Sequence, residues 1–133
     1  MNVTIHRGTN EIGGSCVEVV DREDRVLIDI GMPLLDGVGG RFDFQKFSHM
    51  SARELVGCGV LPNVSGAWAG DDFGGETPLD ALLLSHAHLD HYGLIDYVRN
   101  GIPTYLGFFR FFRSLFDFTS VDMLTCFIVI QQL

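Results

Sequence analysis

Leu79-Asp80-Ala81-Leu82-Leu83-Leu84 followed by Ser85-His86-Ala87-His88-Leu89-Asp90-His91 is the stretch whose reading decides the fold. The run from Leu79 to Leu84 is apolar apart from Asp80, which predicts a buried strand. From His91 to Arg99 the apolar residues Leu94, Ile95 and Val98 fall at helical spacing, and Asn100-Gly101 reads as the stop. Ile102 to Leu106 reads as a following strand. The order is strand, polar loop, helix, strand, a βαβ-type unit that predicts an α/β fold.

Three of the five histidines lie in that polar loop, within six residues, with an aspartate among them. His86 and His88 are two apart. At the end of an extended strand this puts both imidazoles on one side, where they can share a metal ion. Asp90 and His91 come where the helix begins and face a neighbouring position, suited to a second ion. Nitrogen and oxygen donors of this kind suit zinc, with manganese or iron as alternatives. Two such ions would hold a hydroxide nucleophile at neutral pH and polarise the oxygen under attack. Asp90 is the candidate for moving protons at the site edge. Four ligand-type residues at fixed offsets after a buried strand outweigh the alternative of surface histidines.

Upstream, Val3-Thr4-Ile5, Ser15 to Val20 and Arg25 to Ile30 read as three short strands. Their short connections, Gly8 to Gly14 and Asp21 to Asp24, favour antiparallel pairing. Pro33 to Phe47 reads as a long loop with phenylalanines at 42, 44 and 47. Ser51 to Val56 reads as a helix with a capping box between Ser51 and Glu54, stopped at Gly57. Residues 62 to 78 read as loop again, and loops this long tend to carry function.

Composition sets outer limits. The 133 residues are 47% hydrophobic and 20% charged, enough for one domain with a real core. The formal net charge of −8 repels phosphate backbones from the general surface, although bound dications would dominate locally. Cys16, Cys58 and Cys126 are odd in number and form no C-x-x-C. They indicate neither a disulfide framework nor a cysteine zinc site, and a reduced, cytoplasmic setting is expected. No stretch has the length of a signal peptide core or a membrane span.

Ser85 to His91 resembles the H-x-H-x-D-H signature of the metallo-β-lactamase fold superfamily. Leu27-Ile28-Asp29-Ile30-Gly31 resembles that superfamily's first motif, whose aspartate supports the histidine loop rather than binding metal; by spacing alone Asp29 also reads as a turn-capping acid. Thr9-Asn10-Glu11-Ile12-Gly13-Gly14-Ser15-Cys16 and His91-Tyr92-Gly93-Leu94-Ile95 resemble the RNA-processing branch of ribonuclease J and other β-CASP nucleases. The resemblance covers residues 1 to about 107. It implies the N-terminal part of an αββα sandwich, two zinc ions in a complete site and hydrolysis of a phosphodiester in RNA. The alternatives are a thioester or lactone hydrolase resembling glyoxalase II, and an inactive truncated fragment. The superfamily's further histidine and aspartate ligands have no counterpart here, and residues 108 to 133 form a Phe-rich tail without a match. That tail reads as a strand or buried helix lacking partners, and a truncated or shifted reading frame would account for it.

The remaining polar residues have plainer readings. His6 and His49 stand alone and are expected to be satisfied or surface residues. Ser85 lacks the G-x-S-x-G frame of a serine nucleophile. Asp71, Asp72 and Glu76 read as solvated loop charges, and Trp68 as packing. Arg110 and Arg113 have the charge for a phosphate but lie in the tail.

Overall fold

The computed structural model describes residues 1–70, 79–110 and 124–130, the last seven and residues 107–110 by their backbone. The expectations for Asp71, Asp72, Glu76 and Arg113 lie outside the described residues. Six strands form one sheet in chain order: β1 (Asn2–Arg7), β2 (Cys16–Asp21), β3 (Asp24–Ile28), β4 (Ala81–Leu84), β5 (Thr104–Arg110) and β6 (Leu124–Ile130). β1, β2 and β3 pair antiparallel, as their short connections require. β4 lies parallel to both β3 and β5. The tail strand β6 is not partnerless: it pairs antiparallel with β5 from Thr104↔Ile130 to Arg110↔Leu124.

Between β3 and β4 runs a long crossover that holds α1 (Ala52–Gly57). Ser51 caps it: its side chain accepts from Glu54 N–H while the Glu54 carboxylate accepts from Ser51 N–H and Oγ–H, both at 2.8 Å. Replacing Ser51 with alanine removes this reciprocal pair. The expected loss is about 1 kcal/mol of unfolding free energy, read from a urea melt.

The helix expected over residues 91–99 is shorter and starts earlier. It is α2 (Leu89–Tyr92), followed by a separate 3₁₀ turn, Ile95–Tyr97. The break has a visible cause. Leu94 N–H turns away to donate to Ile30 O, so the segment is tied to the sheet instead of winding on.

Opposed residues in a ladder share a face, which sorts the sheet into two sides. On one side Cys16, Leu27, Leu82, Leu84 and Thr104 are buried in a core that includes Leu55 of α1, Val64, Trp68, Leu94 and Val98. Trp68 is fully buried and its indole N–H donates to Pro62 O at 2.8 Å, so the packing expectation holds. His6 also has its expected partner: its Nε2 is 2.7 Å from the Glu18 carboxylate, which Arg25 also binds. His49 is exposed.

The other side is apolar too. Val17↔Ile28, Val19↔Val26, Ile28↔Leu83 and Leu83↔Tyr105 are cross-strand pairs on it, all half-buried. At its edge Val3 and Ile5 are 57% and 55% exposed. No helix among the described residues is long and apolar enough to cross a membrane.

Candidate metal centre

The histidine loop sits at the C-terminal end of β4, where the strand gives way to α2. Its backbone is clasped by the segment after β3. Asp29 N–H donates to Leu83 O, Ile30 N–H to His91 O and Met32 N–H to Leu89 O, at 2.8, 2.8 and 2.9 Å. A third strand end joins in, because Gly31 N–H donates to Ser15 O and Ser15 N–H donates to Asp90 O. Gly31 is where these three segments come closest: a Cβ there would overlap the Asp90 carbonyl group. The glycine is required by this close approach.

Within the clasp the side chains fall into two pairs. His86 Nε2 and His88 Nδ1 are 3.1 Å apart. His91 Nε2 and Asp90 Oδ2 are 3.3 Å apart. Two ligands of a tetrahedral ion held at ordinary zinc distances lie about 3.3 Å from each other. Both separations are compatible with two donors on one ion. The His86 and His91 rings, 3.9 Å between centroids, bring the pairs side by side. Among the described residues no three such side chains converge on a single point.

Asp29 stands beneath the pairs. It is 6% exposed and holds φ at 59°, a left-handed conformation that Asp tolerates better than most residues. Its Oδ1 accepts Ser85 N–H at 2.7 Å, and its Oδ2 accepts Ser85 Oγ–H at 2.8 Å. His91 Nδ1 lies 2.7 Å from the same Oδ2. A carboxylate can only accept, so His91 carries a proton on Nδ1, and Nε2 is the ring nitrogen that faces Asp90. The expected supporting role of Asp29 thus has a concrete geometry, and β3 ends at Ile28, short of the residue 30 expected from the sequence, because this turn is needed.

Cys16 lies near the clasp, and burial pushes its thiol up to about 12. A recess of about 450 Å³ lies beyond Gly13, lined by Thr9 to Ile12 and Leu35 to Gly37; none of the four donor residues lines it. The sequence reading missed Ser85 as a partner of Asp29, and it missed Gly31. The signal for Ser85 was its place, one residue before the first histidine. The signal for Gly31 was a glycine after a strand with no turn dipeptide to explain it.

Comparison with known proteins bears on the whole segment. Residues 9–105 match the family model described as "Metallo-beta-lactamase superfamily". An RNase J-like protein of Methanocaldococcus jannaschii is 31% identical over 94 residues, 71% of this chain. The chain spans 15% of that relative's length. A crystal structure of a protein of unknown function from Enterococcus faecalis V583 superposes with a TM-score of 0.58 at 25% identity, over 77% of this chain and 24% of the other.

Proposed function

Because this chain belongs to the metallo-beta-lactamase superfamily, we propose that it carries the histidine-loop part of a metal-dependent hydrolase that cleaves phosphodiester bonds in RNA. The observation that carries the reading is the pairing of donors, His86 Nε2 with His88 Nδ1 and Asp90 Oδ2 with His91 Nε2, at the separations of ligand pairs. His86 and His88 would hold one divalent ion, and Asp90 and His91 a second. Zinc suits the set best, with manganese or iron as alternatives. Such ions supply Lewis acidity, activating water and polarising the ester oxygen under attack. The chain's own residues do the rest. Asp29 holds the His91 ring by Nδ1, which leaves Nε2 as the nitrogen a cation would use. Asp90, with a 28% exposed side chain, would take or return a proton at the site edge. The similarity to an RNase J-like protein supports RNA as the substrate class, and cysteines without a C-x-x-C pattern support a cytosolic setting.

A second reading keeps the site and changes the substrate to a thioester or lactone. The net charge of −8 favours it, since a polyanion meets repulsion on approach. The half-buried apolar side of the sheet fits a layer that packs on a second sheet, as in the αββα sandwich.

One variant tests the donor assignment. His88→Ala is expected to lose metal at one position, measured as zinc per chain by elemental analysis; unchanged stoichiometry refutes it. Turnover of a bis-phosphodiester reporter against a thioester reporter divides the two substrate readings. Fewer than one zinc per wild-type chain would favour a third reading, an inactive chain with weakened metal binding.

A further inference from the structure

We propose that Ser85 is a positioning residue that fixes the tautomer of His86, and that through it the single carboxylate of Asp29 orients one donor in each of the two pairs. The proposal rests on the metal-hydrolase reading for its purpose, but its geometry stands alone. A serine hydroxyl has one proton and two lone pairs. Asp29 Oδ2, 2.8 Å away, can only accept, so the hydroxyl proton points there. What remains on Ser85 Oγ is acceptor capacity.

Two ring nitrogens are within reach of that oxygen, His86 Nδ1 at 3.0 Å and His91 Nδ1 at 3.2 Å. His91 Nδ1 has a nearer and charged acceptor in Asp29 Oδ2, at 2.7 Å. The Ser85 oxygen therefore takes the Nδ1 proton of His86. The proton order runs His86 Nδ1–H to Ser85 Oγ–H to Asp29. With Nδ1 protonated, His86 keeps a lone pair on Nε2, the atom that faces His88 Nδ1. Remove the hydroxyl and nothing holds that choice. The ring can then carry its proton on Nε2 and face His88 with a donor, which no cation can use.

The role also explains why a serine with no nucleophile frame stands at this point. Its backbone N–H and its hydroxyl bind the two oxygens of one carboxylate, so the first residue of the loop is fixed at both ends.

The test needs no turnover. Two-bond nitrogen–proton correlation spectra of the metal-free, histidine-labelled chain at about pH 8 report which nitrogen of each neutral ring is protonated. The expected result for wild type is Nδ1–H on His86; Nε2–H on that ring overturns the proposal before any variant is made. Ser85→Ala is expected to shift His86 toward Nε2–H and to weaken zinc binding on the order of 10-fold in a chelator competition. Ser85→Thr, which keeps the hydroxyl, is expected to restore both. An unchanged His86 tautomer in Ser85→Ala would also overturn it. If Ser85→Ala does not fold, the wild-type and Ser85→Thr spectra still decide. Failure of the two readings is distinguishable: the expected tautomer without zinc binding counts against the hydrolase reading alone, and zinc binding with the opposite tautomer counts against Ser85 alone.

Discussion

Gly31→Ala is expected to unfold the site and take much of the domain with it. The added methyl would overlap the carbonyl oxygen and carbon of Asp90 and approach Ser15 N to 2.8 Å. These are backbone atoms, so no rotamer change relieves the clash. The residue 31 segment would have to move away from both neighbours. That breaks Gly31 N–H to Ser15 O, Ser15 N–H to Asp90 O and, with them, the register of the Ile30 and Met32 bonds to the loop. Overpacking a well-fitted interior costs about 1–3 kcal/mol where side chains can yield. Here they cannot, and roughly 3 kcal/mol or more is expected, a fall in Tm on the order of 10 °C by calorimetry. Zinc affinity falls with it, because Asp90 is displaced. Gly57→Ala is the control: a Cβ there meets nothing within 4 Å, so its effect should stay within about 1 kcal/mol. A Gly31→Ala protein that melts like wild type would mean the three segments are not packed as described.

Asp29→Asn is expected to separate folding from metal binding. Asparagine tolerates the left-handed backbone at φ 59° and keeps the shape of the side chain. Its carbonyl oxygen can still accept Ser85 N–H. The other terminal atom becomes a donor where Ser85 Oγ and His91 Nδ1 now find an acceptor. His91 must then accept on Nδ1 and carry its proton on Nε2, pointed at Asp90. Stability should change by about 1 kcal/mol, while zinc affinity falls roughly 10- to 100-fold. Asp29→Ala differs in kind. It leaves Ser85 N–H, Ser85 Oγ–H and the His91 ring without their acceptor and puts a less tolerant residue in the left-handed region. A loss of about 3 kcal/mol is expected on top of the lost metal. Equal zinc affinity in wild type and Asp29→Asn, by chelator competition, would remove Asp29 from the site.

Much of this was legible from residue types and offsets. The antiparallel β1–β2–β3 unit followed from short polar turns between β-branched runs. The capping box at Ser51 is a local signal and formed as read. The closeness of His86 to His88 and of Asp90 to His91 followed from strand and helix geometry within six residues. What stayed hidden is what depends on distant partners. Apolar spacing over 91–99 was right about which residues go inward, since Leu94 and Val98 are buried. It was wrong about a continuous helix, because the competing acceptor for Leu94 N–H is Ile30 O, in the segment after β3. The tail gave no pairing signal of its own, yet β6 aligns along seven residues of β5. Ser85 looked inert because its chemistry is defined by a carboxylate far along the chain.

That distance sets the order in which the protein matures. Ser85 and His91 meet Asp29 across sequence separations of 56 and 62 residues, so this knot ties only after a long loop has closed and β4 has docked beside β3. His86 and His88 are local and are present as neighbours on the nascent chain. A cation captured early would therefore meet freely rotating imidazoles, and a tight grip would wait for β4 to pair with β3. Metal uptake, followed in time during refolding, would act as a clock for that docking.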